Sequence, residues 1–438
     1  MIAVPVDAGD NAAPPQKAAP RTTSASPLPA TPACKGRPTR LLVFTSLYPN
    51  SVQPRHGVFV EERLRHLMDS GRVEATVVAP VPWFPFRHRR FGRYATFAQV
   101  PRREHRHGIE ILHPRYTVIP KVGMSLAPRL MCRAALPVLR RLQASGSDFD
   151  LIDAHYFYPD GVAGVRLGAV LGKPVVVTAR GSDVTWIPHN RAARRRIQWA
   201  ADNASAIVTV SQALKDKLGK LDVAPSNISV LRNGVDLERF RPRDREVIRA
   251  RLDLHGTVWL AVGNLVELKG VHITVAALSQ QPGTTLLIAG EGPEETRLQQ
   301  LAERLGVGDR VRFLGTIPQA RLCEYYNAAD AMVLASSREG MPNVVLESLA
   351  CGTPVIAAPF DGVTELLDVP EAGEIASERS AEAIAAAWLR LRDRAPTRAA
   401  TRRVAERLGW QPVVEAQCAL YERVLSAVPD GAREGAGA

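Results

Sequence analysis

Long apolar runs are absent from this sequence, and cysteines are few. No stretch approaches the ~20 consecutive apolar residues of a membrane-spanning helix, so no span is expected. The five cysteines are odd in number, scattered and without C-x-x-C spacing. This usage argues against a disulfide framework or a zinc site and suits a reducing cytosol.

The first 38 residues have an unusual composition. They are rich in alanine, proline, serine and threonine, which predicts a disordered tail over residues 1–38. They hold no basic stretch followed by an apolar one, so we expect no secretory signal. Together with the cysteine usage, this predicts a cytoplasmic protein.

Positive charge exceeds negative charge, and the excess is uneven. The chain has 56 lysines and arginines against 44 aspartates and glutamates, a net charge of +12. The excess falls within residues 39–240, whereas residues 241–438 are net acidic. Such a field attracts an anionic membrane surface, an anionic lipid carrier or nucleic acid.

Residues 81–106 mix arginines with aromatic residues, and residues 191–196 (RAARRR) add a second arginine cluster. This mixture suits peripheral contact with the inner face of the cytoplasmic membrane, although a solvated basic surface explains it equally well. No RNP, helix-turn-helix or zinc-finger pattern accompanies the charge, so we expect no nucleic-acid partner.

Short apolar runs alternate with amphipathic segments, the pattern of parallel sheets covered by helices. Strands are predicted at 41–47, 73–80, 151–155, 174–179, 206–210, 228–231, 258–263, 284–289, 311–314, 331–335 and 354–358. Residues 80–121 fit no pattern, and the charged segment 238–246 is taken as a linker. We therefore predict an α/β fold of two Rossmann-like, doubly wound domains facing a cleft. The predicted domains are residues 39–240 and 241–410, followed by a helix over 411–427 that crosses back to the first domain.

The densest motif is ASSREGMPNVVLESLACGTP at residues 335–354. A strand end leads into a polar turn and then a helix opening at Pro342, where free N–H groups attract phosphate. Gly340 permits close backbone approach. Glu339 and Glu347 could face a sugar and a ribose diol, respectively, because carboxylates accept hydrogen bonds from paired hydroxyls. An ordinary helix with an acidic N-terminus explains the two glutamates alone.

Two further motifs follow strand ends. In LAVGNLVELKGVHIT, at residues 260–274, Lys269 could neutralise the charge of a diphosphate. A surface lysine at a helix start is the plainer explanation. In IAGEGPE, at residues 288–294, Gly290 and Gly292 follow a strand, as a simple strand–helix turn also requires.

These motifs together resemble the retaining GT-B glycosyltransferases of family 4, the glycosyl transferases group 1. The family pattern E-G-x-P-N-x-x-L-E is matched by Glu339, Gly340, Pro342, Asn343, Leu346 and Glu347. The resemblance spans about residues 41 to 426. It implies that Glu339 contacts the donor sugar and Glu347 the ribose hydroxyls. The backbone N–H groups it places near the sugar and phosphates belong to Met341, Asn343 and Val344.

The resemblance also assigns a donor pocket at other strand ends of the second domain. Its residues are Gly263, Asn264, Gly290, Gly292 and Ile317, the last lying in the turn that cradles the base. In the family an arginine stands at the position of Asn264 and shares the diphosphate with the lysine. Either Lys269 acts with less help here, or another cation substitutes, with Arg338 and Arg232 as candidates.

Three segments of the first domain complete the resemblance. His155 ends a strand, where a lone histidine is more often structural, and the resemblance suggests that it hydrogen-bonds the donor sugar. TARGSDV, at residues 178–184, matches an H-G-x-D segment in which Arg180 replaces the histidine. Asp183 either caps the following helix or orients His155. The segment that contains Gly57 resembles the family's loop that approaches the donor phosphates and the acceptor.

The resemblance implies retaining transfer of a sugar from a UDP- or GDP-linked donor, with no metal or other cofactor. The implied acceptor is a glycan or a polyprenyl-linked glycan, as in bacterial surface polysaccharide assembly. The predicted catalytic residues are Lys269, Glu339 and His155. Two alternatives stay open: a nucleotide-sugar epimerase, and a catalytically silent sugar-nucleotide-binding module, which the residues at positions 264 and 180 favour.

Overall fold

The structure is a computed structural model that describes residues 37–118 and 123–428. The predicted tail lies, up to residue 36, outside the described residues. In chain order the strands are β1 (Thr39–Phe44), β2 (Val73–Val78), β3 (Val81–Trp83), β4 (Arg103–Arg106), β5 (Ile109–Leu112), β6 (Arg115–Thr117), β7 (Leu151–His155), β8 (Val175–Ala179), β9 (Ala206–Thr209), β10 (Ile228–Val230), β11 (Thr257–Val262), β12 (Thr284–Ala289), β13 (Val311–Gly315), β14 (Ala331–Leu334), β15 (Val355–Ala357) and β16 (Gly373–Ile375).

Helices separate most of these strands, as the alternating pattern predicts. They are α1 (Val58–Asp69), α2 (Arg93–Gln99), α3 (Gly123–Ala144), α4 (Val162–Leu171), α5 (Ser182–Thr185), α6 (Arg191–Asn203), α7 (Gln212–Gly219), α8 (Arg245–Leu252), α9 (Val271–Leu278), α10 (Glu295–Arg304), α11 (Gln319–Ala328), α12 (Asn343–Ala350), α13 (Ala381–Arg394), α14 (Arg398–Glu406) and α15 (Trp410–Ser426). In the part of the chain described, no helix is both long and apolar enough to cross a bilayer.

Eight strands form the first sheet, in the order β10-β9-β8-β7-β1-β2-β5-β4. Neighbouring strands run parallel, except that β4 is antiparallel to β5. Strands β7 and β8 are buried along their whole length, because helices cover both faces of the sheet. The chain winds outward from β1 in one direction and from β7 in the other. The switch point between β1 and β7 is where open α/β sheets bind ligands.

Six strands form the second sheet, in the order β13-β12-β11-β14-β15-β16. All of its pairings are parallel, and its switch point lies between β11 and β14. Trp259 of β11 is fully buried, and its ring meets that of Trp388 on α13 edge-on at 5.8 Å. The predicted α/β fold with two Rossmann-like sheets is therefore confirmed.

The sequence pattern leaves residues 80–121 unassigned, and the described part of this segment, residues 80–118, carries four strands and α2. Strands β3 and β6 pair in parallel as a separate two-stranded sheet. Strand β4 reads REHR, and its side chains alternate between exposed and half-buried. As an edge strand it lacks the apolar run by which the other strands are recognised, so its absence from the prediction has a physical cause.

The segment between the two sheets is less solvated than its charged sequence indicates. Phe240 is 1% exposed, and its ring lies 6.1 Å from that of Tyr326 on α11. The predicted boundary at residue 240 falls between β10 and α8 and stays a prediction.

Helix α15 follows the second sheet in the chain but lies against elements of the first. The Arg63 guanidinium, on α1, donates to Gln417 Oε1 at 2.8 Å. Leu420, Tyr421 and Val424 belong to the apolar cluster that contains Leu41 and Val43 of β1.

Candidate active site

The carboxyl ends of the two sheets meet at a backbone contact between the loops that follow β8 and β14. A Cβ atom at Gly340 would collide with the carbonyl oxygen of Arg180, and one at Gly181 would lie 3.2 Å from the Gly340 Cα. Only glycine allows this approach. The motif at residues 335–354 therefore faces the first sheet, and the cleft lies between the two carboxyl edges.

Lys269 and Glu339 form an ion pair in this motif. Lys269 Nζ donates to Glu339 Oε1 at 2.7 Å, and the two side chains are 24% and 11% exposed. Lys269 ends a short 3-10 turn that follows β11, and Glu339 lies in the loop that follows β14. The switch point of the second sheet therefore carries a partly desolvated lysine, which two separate loops hold in place.

Helix α12 opens beside this pair without a side-chain cap. Its first turn begins after Pro342, and Val345 N–H bonds the Pro342 carbonyl at 3.1 Å. The preceding N–H groups, on Asn343 and Val344, have no intrahelical acceptor by the geometry of a helix start. Such groups and the helix dipole attract an anion, so this turn suits a phosphate. Met341, also predicted to lie near the phosphates, is buried next to this turn.

Glu347 lies one turn further along α12 and is 7% exposed. Tyr326 Oη donates to its Oε2 at 2.9 Å, and Gln319 Nε2 lies 3.5 Å from its Oε1. Burial raises the pKa of Glu347 to about 7, and the negative charge of Glu62 adds to the rise. A carboxylate offers about four acceptor positions, so two remain for a further pair of donors.

Glu62 is a site residue that the sequence did not reveal. It lies on α1, and Gln319 Nε2 donates to its Oε1 at 2.6 Å. Arg239 donates both to Glu62 Oε1, at 3.2 Å, and to Gln319 Oε1, at 2.9 Å. The Glu347 carboxyl is therefore tied to the first sheet's helix through one shared amide.

The glycines predicted for the donor pocket lie where two loops touch. A Cβ at Gly290 would collide with the carbonyl oxygen of Gly263, which explains the glycine at the end of β12. Gly292 meets the backbone of Leu265 in the same way. Ile317, in the turn after β13, is half-buried against the core.

The structure gives each candidate replacement for the family arginine a different partner. Asn264 itself is exposed. Arg232 pairs with Glu365 at 2.8 Å, and the Arg338 guanidinium lies over the Trp186 ring at 5.9 Å.

Arg379, which the sequence did not single out, lies next to the lysine loop. It donates to the Ala335 carbonyl at 2.8 Å and to the Glu267 carbonyl at 3.3 Å. It thereby joins the loop of Lys269 to the strand end that precedes Glu339. Nothing in the local sequence around Arg379 indicates this role, because both of its acceptors are main-chain atoms far away in the chain.

His155 is 2% exposed, and both of its ring nitrogens have partners. Arg180 Nη2 lies 2.8 Å from Nδ1, and Asp153 Oδ2 lies 3.1 Å from Nε2. Burial lowers the pKa of His155, which favours the neutral ring. Contact between this ring and a donor sugar therefore requires the exchange of one of these bonds.

Asp183 serves the backbone and does not orient His155. Its carboxylate accepts from the N–H groups of Phe157 at 2.7 Å, Arg180 at 3.1 Å and Gly181 at 2.6 Å. Neither role predicted for Asp183 is therefore observed, since α5 has no side-chain cap and Asp183 holds the backbone of the preceding loop instead. Asp153 is the carboxylate that bonds His155.

A chain of buried hydrogen bonds runs from α15 to α12. Tyr421 Oη donates to Asp153 Oδ2 at 2.7 Å. Asp153 also bonds His155, and His155 bonds Arg180. Arg180 Nη1 then donates to Asn233 Oδ1 at 3.1 Å, and Asn233 Nδ2 donates to Asn343 Oδ1 at 2.8 Å. The chain couples the last helix to the first turn of the helix that carries Glu347.

We expect Tyr421→Phe to lower the free energy of unfolding by about 2 kcal/mol, because a buried carboxylate loses a donor. Tyr48→Phe is the matched control. Tyr48 is 1% exposed, and its hydroxyl has no hydrogen-bond partner within the described residues, so its loss should be neutral or slightly stabilising. Urea unfolding of both variants measures the difference, and equal effects would contradict the network.

Gly57 opens α1 with a positive φ of 74°, and a Cβ there would collide with the Leu47 carbonyl oxygen. The side chain of Arg55, two residues before Gly57, reaches across the cleft. Its guanidinium contacts Thr316 Oγ1 and lies 3.4 Å from Glu291 Oε2. The loop before α1 therefore reaches the turn that was predicted to hold the base.

Comparison with known proteins agrees with this geometry. Residues 244–407 match the family described as "Glycosyl transferases group 1", and residues 114–239 match "Glycosyltransferase Family 4". TuaC of Bacillus subtilis strain 168, a glycosyltransferase named for teichuronic acid biosynthesis, is 34% identical over 334 residues. The match covers 75% of this chain and 82% of TuaC. This chain is a group 1 glycosyltransferase.

Other relatives and solved structures place the glycosyltransferase in the same fold. A D-inositol 3-phosphate glycosyltransferase of Saccharomonospora viridis is 30% identical over 370 residues, 77% of this chain and 85% of the relative. Sucrose-phosphate synthase of Thermosynechococcus elongatus superposes with a TM-score of 0.71 at 22% identity, covering 89% of this chain and all of that one. Anabaena HepE in complex with UDP gives 0.66 at 20% identity, covering 88% and 100%. The last two likenesses show the GT-B fold alone.

Proposed function

We propose that this glycosyltransferase moves a sugar, with retention of anomeric configuration, from a nucleotide-diphosphate sugar to a glycan or lipid-linked acceptor. The observation that carries the proposal is the Lys269–Glu339 ion pair beside the uncapped first turn of α12. A diphosphate leaving group needs positive charge where its own charge develops, and this corner supplies a lysine and aimed N–H groups.

Each predicted residue has a role in this proposal. Lys269 and the first-turn N–H groups of α12 stabilise the departing diphosphate, so no metal or other cofactor is required. Glu347 accepts hydrogen bonds from the ribose diol through its remaining lone pairs. The loops of Gly263, Gly290 and Ile317 enclose the nucleotide. HepE supports a nucleotide donor, since it has been solved in complex with UDP and with UDP-glucose.

Glu339 positions the sugar, and His155 does so once it exchanges a partner. Neither needs to act as a covalent nucleophile. Retention then follows from front-face attack through an oxocarbenium-like state, with the leaving diphosphate accepting the acceptor's proton.

The acceptor proposal draws on the relatives' names and on charge. TuaC is named for teichuronic acid, which supports a role in bacterial surface polysaccharide biosynthesis. The basic first half of the chain supports peripheral contact with an anionic membrane on the cytoplasmic side.

The test is incubation of the full chain with UDP- and GDP-linked sugars, with and without EDTA. We expect release of one nucleoside diphosphate, by transfer or slow hydrolysis, at rates that EDTA leaves unchanged. With an accepted acceptor, proton NMR of the product should show the donor's anomeric configuration. Sugar isomerisation would indicate an epimerase instead, and binding without turnover would indicate a silent module.

A further inference from the structure

The two-stranded sheet of the first half encloses a pocket that no step of the proposed reaction uses. Its volume is about 580 Å³, and it lies between β3, α2 and β6. The residues that matter for its chemistry are Trp83, Phe84, Arg87, Val100, Arg102 and Arg115. The wall therefore combines aromatic rings with guanidinium groups.

The three arginines of this pocket lack counter-ions. None of them forms an ion pair with a carboxylate anywhere in residues 37–118 and 123–428, where the structure is described. The Arg115 guanidinium donates to the Phe97 carbonyl, at 2.9 Å, and to the Val100 carbonyl. Burial lowers the pKa of Arg115, and the charges of Arg102 and Arg87 lower it further, so the three groups repel one another.

The arginines of the neighbouring strand β4 differ, because they are paired. Arg103 lies 2.6 Å from Glu110, and Arg106 lies 2.8 Å from Glu61. The three pocket arginines therefore bring together positive charge that no carboxylate balances, and a bound anion would relieve it. Arginine is the side chain best suited to a phosphate group.

The rim of the pocket is apolar and exposed. Trp83 is 52% exposed and Phe86 is 56% exposed. The Phe84 ring lies between those of Phe91, at 5.2 Å, and Tyr94, at 5.3 Å, which fixes the aromatic cluster. Exposed aromatic surface next to a cationic pocket fits an amphiphile with an anionic head and an apolar chain.

The pocket lies at the same edge of the first sheet as the cleft. Strands β3 and β6 continue from the carboxyl ends of β2 and β5, so they stand on the edge of the sheet that faces the second one. Burial raises the pKa of the Tyr116 phenol on β6, and the nearby Asp160 raises it further. Asp160 in turn accepts from Ser46 Oγ, after β1, at 3.0 Å. Strand β6, which lines the pocket through Arg115, thus also comes near the loops at the switch point of the first sheet through Tyr116.

We propose that this pocket binds the diphosphate head and the first isoprene units of a polyprenyl-diphosphate-linked acceptor. The proposal rests on the proposed transfer function and names its acceptor class. The arginines hold the phosphate groups, and Trp83 and Phe86 contact the chain as it leaves toward a bilayer. The sugar attached to the diphosphate then points into the cleft.

The experiment titrates the full chain with farnesyl diphosphate and with inorganic diphosphate by calorimetry. We expect farnesyl diphosphate to bind at least 10-fold more tightly than inorganic diphosphate. The double variant Arg87→Gln/Arg102→Gln should weaken farnesyl diphosphate binding at least 10-fold, because two charge-assisted contacts are lost. Trp83→Ala should weaken the binding of farnesyl diphosphate and leave the binding of inorganic diphosphate unchanged. Arg103→Gln, a control that removes one paired arginine of the neighbouring strand, should stay within twofold of the wild type.

Three results would overturn the proposal. The first is that the wild type does not bind farnesyl diphosphate, and the second is that Arg103→Gln loses as much affinity as the arginine double variant. The third is that the double variant keeps its affinity for farnesyl diphosphate and loses only its sedimentation with phosphatidylglycerol vesicles. The last result would assign the arginines to general membrane attraction. UDP and GDP titrations of the same variants keep the two proposals separate. Donor binding without farnesyl diphosphate binding rejects the pocket alone, and the reverse rejects the proposed transfer function alone.

Discussion

Lys269→Ala should lower kcat for sugar transfer about 1000-fold. Removing one group that stabilises charge in a transition state costs about 10²–10³ in rate, and Lys269 is a full charge in a partly desolvated corner. The measurement is nucleoside diphosphate release from the donor that the wild type accepts. Lys269→Arg should retain more activity than the alanine variant because it keeps the charge.

Loss of folding must be separated from loss of chemistry in this experiment. Lys269→Ala leaves the Glu339 carboxylate, 11% exposed, without its partner, so some stability should be lost as well. Adding Glu339→Gln should restore the melting temperature but not the activity. Lys173→Ala is the matched control, since Lys173 pairs with Asp148 at 2.8 Å at the opposite end of β8. Comparable rates for Lys269→Ala and Lys173→Ala would reject the site.

Glu347→Gln should weaken binding of the nucleoside diphosphate 10- to 100-fold, because hydrogen bonds to a charged group contribute about 1.5–3 kcal/mol. The loss should be specific to the ribose. The wild type should prefer the ribonucleotide to its 2′-deoxy analogue, and the variant should bind both with similar affinity. A variant that still discriminates between them would show that Glu347 does not hold the diol.

The same variant should be more stable than the wild type at high pH. The pKa of Glu347 rises from the ordinary 4.5 to about 7 in the folded chain, so the folded state holds its proton more tightly than the unfolded state. Such a group stabilises the fold at low pH, and this contribution is lost as the pH rises through 7. Glutamine carries no charge at any pH. The advantage of Glu347→Gln should therefore grow between pH 5 and pH 8, to about 3 kcal/mol.

Glu61→Gln provides the contrast on α1. Glu61 is 5% exposed, but it pairs with Arg106 at 2.8 Å. Removing a paired buried carboxylate destabilises the fold, so this variant should lose stability at pH 8 and keep its nucleotide affinity. Opposite signs for the two glutamates would identify Glu347 as an acid retained for binding at the expense of stability.

Most of the fold could be predicted from the sequence, because parallel strands that are buried on both faces consist of apolar runs. All eleven predicted strands overlap observed ones, and segment 284–289 coincides with β12. Most of the strands that were missed lack such runs, and β5, which reads IEIL, is the exception. Strand β4 is charged because it is an edge, and β16 is three residues long and reads GEI. Strand β3, VPW, contains a proline and pairs only with β6.

The site was predictable where chemistry follows a strand end in one continuous motif. The Lys269–Glu339 contact joins two such motifs, and the switch point between β11 and β14 explains why they meet. The partners of these motifs were not predictable. Glu62, Gln319 and Arg379 act through contacts between distant segments, and no local pattern marks them. For Arg232 the sequence predicted a possible role in binding the diphosphate, whereas in the structure its guanidinium is paired with Glu365.

The most direct test is a crystal structure of the full chain with whichever of UDP or GDP binds more tightly. The account predicts that a β-phosphate oxygen lies about 3 Å from Lys269 Nζ and from the first N–H groups of α12, with the ribose hydroxyls on Glu347. A nucleotide bound elsewhere, with Lys269 still closed on Glu339 and no ligand at the start of α12, would contradict it.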